Sequence, residues 1–266
     1  MSQPNQDLTF YKDHTLISDK ILKSNNSYLT TITYIQGTSP NWLINSLIEN
    51  SLQGSALPIN QELKTTPSRS NVIFISFLHN KEFYIRNLKK NGIDLTQNSN
   101  FIFIDYFTNL FSEKIKDSTN AINDTNKLFD DSKIPKNSII FIESPEILLY
   151  STNIISDDLL FNLIKLNKKT NQLFIISSKD EELIDYNVNE IDNPTFKITD
   201  FLTKLLFRSQ LNISLLPLKT GRAKDITGSL TITKGCLPYN DKNLIVNEKE
   251  YVYNITKDSN IKIYFR

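Results

Sequence analysis

Short β-rich runs, most of them largely apolar, recur along this chain, and a longer amphipathic stretch separates each from the next. Five of them lie at residues 28–35, 72–77, 101–104, 138–142 and 173–177. Runs of this length are typical of strands buried on both faces, and strands that alternate with helices form right-handed βαβ units. The sequence therefore predicts an α/β fold with a mainly parallel sheet flanked by helices.

Helix signals occupy the stretches between these runs. Ser39 is the predicted N-cap, and Pro40 the predicted first position, of a helix that runs to about residue 52. A basic helix is predicted over residues 81–91. Ser156 is the predicted N-cap of a later helix, and a short helix follows over residues 199–208.

The pattern changes after this last helix. Residues 212–216, 229–233, 251–255 and 261–265 are β-rich and are separated by turn-like segments without a helical pattern. Such segments predict antiparallel hairpins, which would close one edge of the parallel sheet. The fold class expected for the whole chain is therefore α/β with C-terminal antiparallel β-hairpins.

Length and polarity predict one domain over residues 1–266. The chain is 39% hydrophobic, which is ample for a single core at this length. Residues 1–27 are expected to form a polar N-terminal segment. Residues 50–70 contain Gly54 and two prolines and are expected to form a long surface loop.

Composition excludes several classes of protein. The net charge is +1, so no overall field draws the protein to nucleic acid, and any such contact needs a local patch. Cys236 is the only cysteine, and the two histidines, His14 and His79, are isolated. No catalytic residue and no metal ligand is therefore predicted. No apolar stretch reaches the length of a membrane span, so a cytoplasmic protein without a membrane partner is expected.

A basic, glycine-rich stretch over residues 216–235 is chemically the most unusual part of the chain. It holds three of the six glycines, and its cations face a single acid, Asp225. The candidate phosphate ligands are Lys219, Arg222 and Lys224, on a turn between two predicted strands. The alternative is a long solvated hairpin whose glycines supply only positive φ angles.

The loop after the first predicted strand, residues 37–42, decides whether the chain holds its own nucleotide. A phosphate-binding loop of the form Gly-x-x-x-x-Gly-Lys-[Ser/Thr] cradles phosphates with successive N–H groups and a lysine. This loop has no second glycine and no lysine, and Pro40 removes one N–H. No nucleotide is expected there. Glu143 ends a strand as a magnesium-positioning carboxylate would, although a structural role is the alternative.

Four residue runs carry a resemblance to a known family. They lie at residues 42–49, 141–149, 216–230 and 263–266, and the third reads Leu-Pro-Leu-Lys-Thr-Gly-Arg-Ala-Lys-Asp-Ile-Thr-Gly-Ser-Leu. Together they resemble the sixth subunit of the eukaryotic Elongator complex, in a yeast-like version. The resemblance covers essentially the whole chain.

The resemblance implies a RecA-like subunit without a phosphate-binding loop. It implies a hexameric ring with two copies each of this chain and of the fourth and fifth Elongator subunits. Such a ring binds tRNA, hydrolyses ATP and serves the remaining Elongator subunits in modifying wobble uridine, in the cytoplasm and also the nucleus. ATP would then be shared at ring interfaces, where Lys219, Arg222 or Lys224 would contact a neighbour's nucleotide in trans.

RNA contacts are expected on the basic helix over residues 81–91. The candidates are Lys81, Arg86, Lys89 and Lys90, with an ordinary solvated helix face as the alternative. The acidic stretch over residues 179–193 is a poor phosphate ligand. Two other functions compete with an accessory ring subunit. An independent RecA-like ATPase acting on DNA is disfavoured by the missing phosphate-binding loop, and a small-molecule enzyme lacks a convergent acid, base or nucleophile.

Overall fold

The computed structural model describes residues 5–115, 121–129, 134–135, 138–188, 190–218, 221, 225–256 and 260–266, with the backbone alone for 121–124. Its strands are β1 (Tyr28–Tyr34), β2 (Asn71–Ser76), β3 (Phe101–Asp105), β4 (Ser138–Glu143), β5 (Gln172–Ser178), β6 (Leu211–Leu216), β7 (Gly228–Lys234), β8 (Lys249–Ile255) and β9 (Ile261–Phe265). Its helices are α1 (Asp19–Leu22), α2 (Asn41–Gln53), α3 (Lys81–Lys90), α4 (Tyr106–Asn109), α5 (Ala121–Leu128), α6 (Ile147–Ser151), α7 (Ser156–Asn167) and α8 (Pro194–Arg208). A π-helical turn (Leu110–Lys114) follows α4, and a 3-10 turn (Glu181–Leu183) follows β5.

All nine strands belong to one mixed sheet in the order β3-β2-β4-β5-β1-β6-β7-β8-β9. The strands from β3 to β6 in this order are parallel, and β6 to β9 pair antiparallel. The predicted α/β architecture with C-terminal hairpins is therefore confirmed. None of the described helices combines the length and the apolar run needed to cross a bilayer.

The central strands are buried on both faces, as their continuous apolar character predicts. Successive residues alternate between two cores, so that Phe74 on β2 faces the side of α2 and α3 while Ile75 faces the side of α7 and α8. Phe74 stacks on Phe141 of β4 at a ring distance of 6.0 Å, and Phe141 stacks on Phe174 of β5 at 4.7 Å. This in-register ladder ties three neighbouring strands together.

The prediction of a polar N-terminal segment over residues 1–27 needs correction. Leu8, Phe10 and Tyr11 are fully buried in the core on the α2 side of the sheet. The segment is held by backbone hydrogen bonds, for example from the N–H of Leu8 to the carbonyl of Ile59 at 2.9 Å. Its average composition is polar, but the apolar residues within it cover a core that the helices leave open.

The predicted surface loop over residues 50–70 is also only partly exposed. Its first four residues are the last turn of α2, and Gly54 is the C-cap of that helix. Ala56 and Ile59 are buried in the core, and a tight turn joins them through the hydrogen bond from the N–H of Ile59 to the carbonyl of Ala56. Exposure is largely confined to residues 61–69. The prolines and glycine mark turns, but these turns pack against the N-terminal segment.

Three predicted helix starts are shifted. Pro40 is the N-cap residue of α2, so the first helical residue lies one position later than expected. Ser156 lies inside α7, after an Ile155 N-cap, and its hydroxyl contacts a carboxylate oxygen of Asp200 on α8. The last helix, α8, begins at Pro194 and is therefore longer than the predicted 199–208. The Ser156 hydroxyl therefore joins α7 to α8 by a hydrogen bond and does not cap α7.

Candidate functional site

The carboxyl ends of four parallel strands meet at one edge of the sheet. Tyr34, Ser76, Glu143 and Ser178 are the last residues of β1, β2, β4 and β5. Ligands of open α/β sheets bind outside this edge, because the loops that follow the strands form a crevice there. The polar groups at this edge are therefore the first candidates for a functional site.

Glu143 is buried at this edge, with 1% of its surface exposed, and its carboxylate is held on both oxygens. Oε1 accepts a hydrogen bond from the Tyr84 hydroxyl at 2.6 Å and lies 3.0 Å from Nδ1 of His79. Oε2 accepts from the hydroxyl of Ser76 at 2.5 Å. Burial, followed by the charge of Glu143, raises the pKa of Tyr84 well above its ordinary value of 10. These contacts favour the structural interpretation of Glu143, because the carboxylate already has three partners.

Glu146 is a second buried carboxyl group at the same edge. Its Oε1 accepts a hydrogen bond from the N–H of Ser178 at 2.9 Å, while Oε2 has no hydrogen-bond partner of good geometry among the described residues. Burial, and to a smaller extent the charge of Glu143, raises the pKa of Glu146 to about 7. The group is therefore poised to gain or lose a proton near neutral pH. Nothing in the sequence distinguishes Glu146 from an exposed carboxylate.

The loop after β1 is folded on itself. The N–H of Ile35 donates to the hydroxyl of Thr38, and the N–H of Thr38 donates back to the carbonyl of Ile35 at 2.9 Å. The N–H of Gln36 donates to a carboxylate oxygen of Asp180 at 2.5 Å. Together with Pro40, which has no N–H, the loop has few backbone donors left with which to cradle a phosphate.

A groove of about 560 Å³ lies on the exposed face of α3. It is lined by Asn80, Glu82, Phe83, Arg86, Asn87 and Lys90. Two of the four predicted RNA contacts, Arg86 and Lys90, therefore face a common cavity. Lys81 and Lys89 are exposed on the same helix but do not line it. The helix starts where its sequence predicts, because Oδ1 of Asn80 accepts the N–H of Phe83 at 3.1 Å.

Sequence reasoning missed the aromatic side of this groove. Phe83 stacks on His79 with a ring distance of 4.0 Å and an interplanar angle of 13°. Since His79 also contacts Glu143, the ring pair is attached to the polar network at the strand ends. The sequence signal for this aromatic side was Phe83 itself, an aromatic residue between the cations of a basic helix.

The basic hairpin has a well-defined stem. Strands β6 and β7 pair as far as Leu216 and Ser229, and the side-chain Nδ2 of Asn254 donates to the carbonyl of Asp225 at 2.7 Å. Gly221 adopts a positive φ of 87°, as a turn glycine does. The three candidate phosphate ligands lie outside the described residues; they are Lys219, Arg222 and Lys224.

Known proteins resemble this chain in sequence and in fold. No protein-family model matches the chain. Elongator complex protein 6 of Saccharomyces cerevisiae is 29% identical over an alignment that spans 100% of this chain and 99% of that protein. Among solved structures, a KaiC-like protein of Pyrococcus horikoshii matches with a TM-score of 0.56, at 12% identity, over 98% of this chain and 100% of that one. The flagellar accessory protein FlaH of Methanocaldococcus jannaschii also matches with a TM-score of 0.56, at 14% identity, over 93% of this chain and 95% of that one. These likenesses confirm the RecA-like fold and the predicted resemblance: the chain is similar over its full length to the sixth Elongator subunit.

Proposed function

We propose that this chain is a non-catalytic, RecA-like subunit of an Elongator complex. The observation that carries the proposal is the identity to Elongator complex protein 6, which extends over the full length of both proteins. A match confined to the sheet would indicate the fold alone. Here the N-terminal segment and the C-terminal hairpins are included in the match.

The finer part of the proposal concerns partners and role. The chain would join the fourth and fifth Elongator subunits, two copies of each, in a ring that binds tRNA during wobble-uridine modification. The crowded loop after β1 supports an accessory role, since its donors are already paired within the chain. Exposed apolar side chains on two packed helices, Phe161 of α7 and Phe207 of α8, are surface that an assembly would cover.

We expect a particle of about six chains when the protein is mixed with the fourth and fifth Elongator subunits, as for other closed assemblies with apolar contact surfaces. Light scattering after size-exclusion chromatography measures the mass. Mixtures that omit one of the two partners are the control and should not reach that mass. If the chain elutes as a monomer in the presence of both partners, the proposal is wrong.

The isolated chain is expected not to bind Mg-ATP at the loop after β1. The N–H groups of Ile35, Gln36 and Thr38 would have to give up their present acceptors, and residues 37–42 contain no lysine that could neutralise the phosphates. Isothermal titration calorimetry on the purified monomer is the measurement, with a known ATP-binding protein as a control for the titrant. An affinity in the micromolar range would contradict the expectation.

The trans role of the basic hairpin stays a prediction. The described stem, with its pairing through Leu216 and Ser229, supports a hairpin held by rigid strands. Lys219, Arg222 and Lys224 would then be presented to a neighbouring subunit. The ATP turnover of an assembled ring that carries alanine at all three positions would test this role.

A further inference from the structure

We propose that the groove on α3 binds one nucleotide unit, with its base stacked on Phe83 and its phosphate paired with Arg86 and Lys90. The proposal rests on the proposed role in RNA handling, which supplies a nucleotide of an RNA strand as the expected occupant. A free mononucleotide offers the same chemistry. The groove would thus be a defined nucleotide site on a helix whose sequence indicates only a basic surface.

The aromatic side of the groove is preorganised. Phe83 lines the cavity, stacks on the ring of His79 at 4.0 Å and makes a T-shaped contact with the ring of Tyr84 at 5.3 Å. His79 and Tyr84 both contact Oε1 of the buried Glu143. A ring held in this way loses little freedom when a base stacks on it, and stacking of this kind tolerates any base.

The cations lie on the same side of α3 as the ring. Arg86 and Lys90 are four residues apart, so they lie one above the other on one helix face, and both line the cavity. Glu82 is the one acid among the residues that line the groove, which leaves a net positive charge. A phosphate that follows the stacked base along the groove would meet both side chains.

Two amides complete the groove. Asn80 and Asn87 line the same cavity. Asn87 offers a side-chain donor and acceptor to the edge of a base, and Asn80, whose Oδ1 accepts the N–H of Phe83, offers its side-chain N–H groups. An acidic peptide would pair with Arg86 and Lys90 but would leave the ring of Phe83 without a matching partner. The combination of aromatic ring, cations and amides therefore favours a nucleotide over a peptide.

Fluorescence anisotropy with the full chain tests the site, with a labelled single-stranded RNA of about ten nucleotides as the probe. Phe83→Leu keeps an apolar side chain at this position, and it should weaken RNA binding by roughly tenfold without changing the salt dependence. Phe83→Trp should keep the affinity. Arg86→Gln with Lys90→Gln should weaken binding and lower the slope of log affinity against log salt by about 0.7, the value for one phosphate contact on a single strand.

The comparison pair is Lys81→Gln with Lys89→Gln, which removes the same charge from α3 outside the groove and so separates the groove from the wider basic face that the sequence predicts. This pair should change affinity by much less than the Arg86 and Lys90 pair does. Circular dichroism and thermal unfolding verify that each variant is folded. The site is rejected if Phe83→Leu binds RNA like the wild type, or if the comparison pair weakens binding as much as the groove pair.

Two further probes separate the sources of the ligand. Competition by UMP with the same dependence on Phe83 supports the site and identifies a free nucleotide as sufficient. Competition by polyglutamate that depends on Arg86 and Lys90 but not on Phe83 would overturn the nucleotide assignment. The partner-mixing experiment tests the proposed function separately. If the Phe83→Leu variant forms the six-chain particle and binds RNA normally, only the groove is rejected. If the wild-type chain does not assemble, the proposed function is rejected.

Discussion

Replacing Gly235 by alanine is expected to lower the free energy of unfolding by about 3 kcal/mol or more, a loss at the upper end for overpacking. An added Cβ would lie 2.0 Å from the carbonyl oxygen and 2.4 Å from the carbonyl carbon of Ser209. Both are backbone atoms, so no side chain can turn aside. The hydrogen bond from the N–H of Gly235 to the carbonyl of Gln210, at 2.8 Å, holds the two segments together and would be strained.

Urea unfolding followed by circular dichroism measures this loss. Gly37→Ala is the matched control, because Gly37 has a positive φ of 90° but open space around the added Cβ. Its expected cost is only the backbone term of about 1 kcal/mol. Equal losses for the two variants would show that the close approach at Ser209 is not what requires glycine at position 235.

The ionisation of Glu146 alone is expected to lower the free energy of unfolding by roughly 3 kcal/mol as pH rises from about 4.5 to above 7. Its pKa is about 7 in the folded chain, against an ordinary value of 4.5. Between these values the folded state holds a proton that the unfolded state has released, so the stabilising contribution is present at acid pH and is lost as pH rises. Burial is the main cause, and repulsion from Glu143 adds to it.

The difference between wild type and Glu146→Gln isolates this contribution, because Glu49 is also buried with a raised pKa and titrates in both proteins. The glutamine keeps an oxygen for the N–H of Ser178 and places an amide beside Ser177, whose hydroxyl makes no hydrogen bond of good geometry among the described residues. The variant should therefore be the more stable protein at pH 8 and should lose its advantage near pH 4. Parallel pH profiles of the two proteins in urea unfolding would refute the raised pKa.

The sheet could be predicted from the sequence because its signal is local. β2 and β4 each have four consecutive apolar residues between polar ends, and that pattern alone indicates burial on both faces. The basic helix was predicted for a similar reason, with Asn80 as the residue that caps it in the structure. Local patterns also identified the four C-terminal strands, which alternate with turns.

The rest of the candidate site depends on contacts between residues that are distant in sequence. Glu146 becomes unusual only because Ser178 and the end of β5 enclose it. Phe83 becomes half of a ring pair because His79, after β2, is fixed by Glu143, after β4. The interpretation that Gly235 supplies a positive φ angle was wrong for the same reason. Position 235 requires glycine because the backbone of Ser209 approaches it closely.

The contacts of the N-terminal segment determine when folding can be completed during synthesis. The N–H of Gln6 donates to the carbonyl of Ile263, and the N–H of Ile263 donates to the side chain of Asn5. The first described residues are thus hydrogen-bonded to the last strand, more than 250 positions later. On the ribosome these hydrogen bonds cannot form until the hairpin of β8 and β9 has left the exit tunnel. The nascent chain meanwhile exposes Leu8 and Phe10, which the folded protein buries completely.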